Sequence, residues 1–158
     1  MHPQPDSGLI LGIGNVLLGD EGIGPAVIAG LGKEKLPHGW HLLDGGTGGF
    51  LLLECFRTFP RLILIDACLD NQPEGTITIR HPRFAADYPS SLSAHDIGLA
   101  DLVRTAQLLG DQPAVHLITI SVKESNLITG ELSPAIRAVI PDVIREVINL
   151  IAEEVVIS

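Results

Sequence analysis

Leu9-Ile10-Leu11-Gly12-Ile13-Gly14 is an apolar run that ends in glycines. An apolar run without polar alternation reads as a strand buried on both faces, the kind found in parallel sheets, and the closing glycines let the backbone turn sharply. A helix is expected after the turn. Its start falls near Asp20, an N-cap type of residue, and Ile23, Val27, Ile28 and Leu31 form its apolar face, with Gly32 near its end.

The same design recurs along the chain. Trp40-His41-Leu42-Leu43-Asp44 is a second strand candidate, closed by Gly45-Gly46-Thr47-Gly48-Gly49, after which Phe50 to Phe56 suits a short helix. Arg61-Leu62-Ile63-Leu64-Ile65-Asp66 is another apolar run ending in an acid. Gly75 to Arg80 alternates with period two and reads as a half-exposed edge strand, whereas Ile97 to Leu109 carries Leu99, Leu102, Val103, Ala106 and Leu109 at helical spacing. Ala114 to Val122 is strand-like. Ser133-Pro134 fits an N-cap followed by proline at the first helical position, and Ile136, Ile140, Val143, Val147 and Ile151 give the last helix its buried stripe. Strands alternating with helices imply an α/β fold, a single-domain three-layer α/β/α sandwich around a mostly parallel twisted sheet of about five strands. Residues 1–8 are expected to be a short N-terminal extension and 9–158 the one domain.

At 158 residues and 46% hydrophobic, the chain suits one well-filled core and is short for two domains. No internal repeat or low-complexity tract interrupts it. Met1 to Ser7 lacks the positive start and apolar middle of a secretory signal, and no apolar run reaches the ~18 residues needed to span a bilayer. A soluble, cytoplasmic monomer without membrane insertion is the expectation. The two cysteines, Cys55 and Cys68, show no metal-type spacing, and in a reducing compartment no disulfide is inferred. A formal net charge of -9 argues against nucleic acid as a partner, because phosphate binding depends on basic patches.

In open α/β sheets ligands bind beyond the carboxyl ends of the strands. Asp44 and Asp66 each terminate an apolar run, Glu21 follows the first strand through Asn15 and Asp20, and His95 precedes a predicted helix in Ser93-Ala94-His95-Asp96. Two carboxylates and an imidazole suit a borderline divalent ion such as nickel or zinc and leave coordination positions open. Taken singly, each residue has a structural reading: Asp20 as a cap or loop organiser, Glu21 as a first-turn acid favoured by the helix dipole, Asp44 and Asp66 as turn formers, His95 as a surface or capping residue. Gly12-Ile13-Gly14 also has the start of a dinucleotide-binding turn, with Asp44 where a ribose-binding acid would stand, although Leu17 occupies the place of the third glycine.

Taken together, these segments resemble the hydrogenase maturation proteases. Gly12-Ile13-Gly14-Asn15-Val16-Leu17-Leu18-Gly19-Asp20-Glu21-Gly22-Ile23-Gly24 is similar to the family's opening G-x-G-N-x-L-x-x-D-[DE]-G-x-G block, and Leu43-Asp44-Gly45-Gly46-Thr47 to its D-x-G-T turn. Ile65-Asp66-Ala67 resembles its acid after the third strand, Ser93 to Leu99 its histidine segment, and Leu132-Ser133-Pro134 the entry to its closing helix. The resemblance implies an endopeptidase that removes the C-terminal tail of a nickel-loaded [NiFe] hydrogenase large-subunit precursor. It assigns metal contact to Glu21, Asp66 and His95, and a catalytic role to Asp44, Glu21 and Asp66. Asn15, Asp20, Gly45, Gly46 and Thr47 become loop-shaping or substrate-contacting residues. Nickel then arrives with the precursor rather than as a stored cofactor, and zinc is another ion the site would accept. Precursor specificity is expected in the loops Asn71 to Ser91 and Lys123 to Asn126. Two readings compete: a nucleotide- or dinucleotide-binding module, and a non-catalytic metal- or precursor-binding chaperone on the same fold.

Overall fold

A computed structural model describes residues 6–157 apart from 48, 93–98 and 125–127, with residues 154–157 described by their backbone alone. The strands are β1 (Gly8–Gly12), β2 (Trp40–Asp44), β3 (Arg61–Cys68), β4 (Ile77–Arg80) and β5 (Ala114–Ser121). They form one five-stranded sheet in the order β2-β1-β3-β5-β4, parallel except for the antiparallel edge strand β4. That edge is where the period-two alternation of Gly75 to Arg80 belongs, because an edge strand covered on one side tolerates alternate polar residues.

The helices are α1 (Ile23–Leu31), α2 (Phe50–Thr58), α3 (Leu99–Leu108), α4 (Pro134–Arg137) and α5 (Ile140–Ile157). Successive side chains of a strand point to opposite sheet faces, so each face gathers its own core. Ile10, Ile63, Ile65, Ile118 and Ile120 meet Val27 and Leu31 of α1 and Val143 and Val147 of α5 on one face. Leu9, Leu11, Leu62, Leu64 and Leu117 meet Leu52 and Phe56 of α2 and Leu102 and Val103 of α3 on the other. The result is the three-layer single domain that the apolar runs imply. From β1 the chain passes to β2 on one side and then to β3 on the other, so the crevice between the carboxyl ends of β1 and β3 is the sheet's switch point.

Four local expectations need correction. β1 ends at Gly12, leaving Ile13 and Gly14 to the turn, and α1 starts at Ile23 after a short 3-10 turn, Gly19–Gly22, so Asp20 is not its N-cap. β3 runs two residues beyond Asp66 to Cys68. The last helix is broken between Arg137 and Ile140. Pro141 accounts for the break, since it has no N–H to give the carbonyl of Arg137 and its ring would clash there, while near the start of α5 it is well tolerated.

Candidate active site

The glycines of the opening block act by close approach. Gly14, at φ +150°, lies so near the Glu21 carbonyl that a β-carbon would strike it, and a β-carbon on Gly24 would come within 2.7 Å of the Ile13 nitrogen and the Ile65 carbonyl oxygen. These contacts seat the Gly19–Gly22 turn, with Glu21, over the switch-point crevice and against the end of β3. On the other side, the Gly14 N–H donates to the Gly46 carbonyl at 2.7 Å and the Gly45 N–H to the Gly12 carbonyl at 2.8 Å. The first loop and the turn after Asp44 are therefore locked together.

Asn15 and Asp44 shape their own loops. The Asn15 Oδ1 accepts the Leu17 N–H and the Asp44 Oδ1 accepts the Gly46 N–H, each at 2.9 Å, both side-chain turns of the Asx kind. Asp20 does something the sequence reading left open between cap and loop organiser. Its carboxylate takes the Ser133 N–H at 2.7 Å and the Ser133 hydroxyl at 2.9 Å, across 113 residues of chain. The Gly19 N–H donates to the Thr129 carbonyl at 2.8 Å beside this clamp, and Leu18 bridges Thr129. Ser133, at the N-cap of α4, makes no side-chain cap bond and turns its hydroxyl to Asp20 instead.

Asp66 is fully buried inside β3, its Oδ1 accepting the Ala67 N–H at 2.8 Å. It is thus a carboxylate held within the sheet rather than a turn former after it. Strand alternation separates it from Asp44. Asp44 is in register with Gly12 and Ile65 and shares their face, toward α1, whereas Asp66 falls on the face of Leu62 and Leu64, toward α2 and α3. The turn that carries Glu21 packs against β3, the strand that holds Asp66, and Asp44 lies on the opposite sheet face from Asp66.

The Asp66 face carries polar residues that sequence reasoning missed. Thr119 is in register with Asp66, Ser121 with Cys68, and both hydroxyl residues are buried. Arg80 donates to the Thr119 hydroxyl at 3.1 Å. The available signal was the alternation of Thr119 and Ser121 in an otherwise apolar strand. Cys68 Sγ lies 3.2 Å from the Ser91 hydroxyl, and burial raises its pKa while that hydrogen bond partly offsets the rise. The Leu69 N–H donates to the Ser91 carbonyl at 3.0 Å, and Leu92 bridges Cys68. His95, with the rest of residues 93–98, lies outside the described residues. Its flanks are described: Leu92 and Leu99 both pack into the core on the Asp66 face. Among the described residues, no three His, Cys, Asp or Glu side chains gather as a metal site.

Beside Asp44 a cleft of ≈ 260 Å³ opens between the first loop, α1 and the Gly130–Leu132 stretch. Its wall includes Gly19 and Gly22, the two ends of the turn that carries Glu21.

Comparison with known proteins decides what this crevice belongs to. The family model described as hydrogenase maturation protease matches residues 25–150. The chain belongs to the hydrogenase maturation protease family. It is 31% identical over 148 residues to the hydrogenase 2 maturation protease of Escherichia coli, covering 92% of this chain and 90% of that one. It is 36% identical over 152 residues to the hydrogenase expression/formation protein HupD of Rhodobacter capsulatus, covering 92% and 71%. Its fold superposes on the solved hydrogenase maturating endopeptidase HybD from E. coli with a TM-score of 0.83 at 31% identity, covering 94% and 93%. The HybD maturation protease from Thermococcus kodakarensis is similar at a TM-score of 0.73 and 26% identity. A hydrogenase maturation protease is a peptidase, and the dinucleotide-binding and chaperone readings are not favoured. The geometry explains the glycines without a nucleotide: Gly14 and Gly24 serve contacts within the protein.

Proposed function

We propose that Glu21, Asp66 and His95 converge on the crevice between β1 and β3, where they contact the nickel carried by a hydrogenase large-subunit precursor while one peptide bond of its C-terminal tail is hydrolysed. The observation that carries this reading is the buried Asp66 carboxylate on the sheet face into which both flanks of the His95 segment pack, beside the turn that holds Glu21. Two carboxylates and an imidazole are a donor set that suits a borderline divalent cation, and burial inside the strand fixes where the Asp66 carboxylate is offered.

Each residue takes a part in that hydrolysis. Glu21 and Asp66 supply negative charge, His95 a neutral imidazole, and together they leave coordination positions open to the precursor's own ligands. A metal so held polarises a carbonyl or lowers the pKa of a bound water. A carboxylate not engaged with metal serves as general base, taking a proton from water as its oxygen adds to the scissile carbonyl. Asp44, on the far side of the crevice and in the cleft wall, is assigned to substrate contact beside the cut, with Asn15, Asp20, Gly45, Gly46 and Thr47 shaping the loops that present it. Nickel is cargo of the substrate in this reading, and zinc is an ion the same donors would take. The enzyme works as a cytoplasmic monomer. Among the described residues no helix is long and apolar enough to cross a membrane.

The test is tail removal from nickel-loaded precursor, followed by mass spectrometry, with Glu21→Gln, Asp66→Asn and His95→Ala. Each variant is expected to keep its far-ultraviolet circular dichroism and lose processing. Unimpaired processing by the three would overturn the assignment, and a stable complex of wild-type enzyme and precursor with no shortened product would restore the chaperone reading.

A further inference from the structure

The cleft beside Asp44 is lined by Val16, Pro25, Ala26 and Leu132 and by glycines, and Asp44 is the single charged side chain in its wall. Val16 of this lining is 51% exposed, and the segments that supply the wall carry two further exposed apolar side chains, Leu17 at 60% and Ile128 at 81%. These are not scattered residues. The bridge between Leu18 and Thr129 and the Gly19 to Thr129 hydrogen bond at 2.8 Å bring the two segments side by side. Exposed apolar side chains gathered at the mouth of a concave site mark a place where another molecule is bound.

The occupant follows from what the cleft adjoins. The turn that forms its wall carries Glu21, and Asp44 stands in it, so the cleft adjoins the place where the tail is proposed to be cut. A cavity of about 150 Å³ already accommodates a benzene ring, so ≈ 260 Å³ is room for one large or two small aliphatic side chains. We propose that this cleft is the specificity subsite for an apolar side chain of the precursor's tail next to the scissile bond, and that Gly130 keeps it open. The proposal rests on the reading that the tail is cut at the Glu21 and Asp66 crevice. It moves selection of the substrate from the loops Asn71 to Ser91 and Lys123 to Asn126 toward the Gly130–Leu132 stretch and α1. Asp44 would disfavour an acidic side chain at the same position by like-charge repulsion and desolvation.

Gly130 offers a clean perturbation. Gly130 is part of the cleft wall, a β-carbon there meets nothing within 4 Å, and its φ lies outside the left-handed region, so a larger side chain adds bulk at the wall without straining the backbone. The experiment is steady-state tail removal from nickel-loaded precursor by the full-length enzyme and its Gly130→Leu variant. Parent precursor is compared with versions carrying Ala or Asp at each of the two residues flanking the cut. Since a methylene or two in an apolar pocket changes discrimination by about tenfold or more, Gly130→Leu should raise KM for parent precursor by about tenfold with kcat and melting temperature retained. At one flanking position, Ala should recover part of that loss in the variant, and Asp should lower kcat/KM for the wild-type enzyme by a similar factor. A Gly130→Leu enzyme with wild-type KM, or with an equal loss on parent and Ala precursors, overturns the subsite. Glu21→Gln run in parallel separates the two claims. If it processes normally while Gly130→Leu shows the KM defect, the crevice assignment falls and the cleft is left as a tail-selecting site away from that crevice; if it is inactive while Gly130→Leu is normal, the crevice stands and the subsite falls.

Discussion

The clamp between Asp20 and Ser133 makes a quantitative prediction. Ser133→Ala removes the hydroxyl donor at 2.9 Å and leaves the backbone N–H bond at 2.7 Å, whereas Asp20→Ala removes both acceptors and orphans the Ser133 N–H at the start of α4. A hydrogen bond to a charged group contributes about 1.5–3 kcal/mol, and partial exposure here places each bond at the low end. The expected losses are about 1.5 kcal/mol for Ser133→Ala and about 3 kcal/mol for Asp20→Ala. At about 2–4 °C per kcal/mol for a domain of this size, melting should fall by about 3–6 °C and 6–12 °C. Because the hydroxyl has nothing to donate to once Asp20 is gone, the double variant should be no less stable than Asp20→Ala alone, a coupling of about 1.5 kcal/mol in a double-mutant cycle. Urea denaturation of the four proteins measures it. Additive losses, or a Ser133→Ala protein that melts with wild type, would refute the clamp.

Other consequences are read more simply. Gly24→Ala forces a β-carbon to within 2.7 Å of the Ile65 carbonyl oxygen, so α1 must shift; a loss of about 1–3 kcal/mol in urea titration is expected. Burial, with Glu54 adding to it, raises Cys55 from 9.0 to about 11, so the native thiol keeps a proton that the unfolded chain releases. Its contribution is fully present below pH 9 and is lost as pH rises through about 11, so stability should decline over that window; Cys55→Ala should flatten the decline. Tyr88, also raised by burial, adds to the same alkaline loss at higher pH. Both cysteines should resist a thiol reagent at neutral pH until the protein is unfolded, since each is buried and holds its proton.

How much of this was legible in the sequence depends on the physics behind each feature. The parallel strands and their order of appearance could be read because burial on both faces demands unbroken apolar runs such as Leu9 to Ile13 and Leu62 to Ile65. The same rule concealed Asp66. An acid after an apolar run reads as its terminator, yet the strand continues through Ala67 and Cys68 with the carboxylate inside it. Pro141 was a visible signal for the break between α4 and α5, but the apolar stripe runs across it because both helices cover the same core. The clamp from Asp20 to Ser133 spans 113 residues and leaves no local pattern at all. That Asp44 and Asp66 face opposite sides of the sheet required the register, which apolar runs alone do not give. The candidate acids Glu21, Asp44 and Asp66 were singled out by their places at or beyond strand ends and in the family's motifs, whereas the cleft beside Asp44 shows only in the fold.

The most direct measurement is the X-ray absorption spectrum at the nickel edge of the loaded precursor, recorded alone and after adding the enzyme under conditions too slow for tail removal. The account predicts added nitrogen and oxygen ligation, with imidazole scattering that disappears for His95→Ala and an oxygen contribution reduced in Asp66→Asn. A spectrum unchanged by saturating enzyme would contradict it.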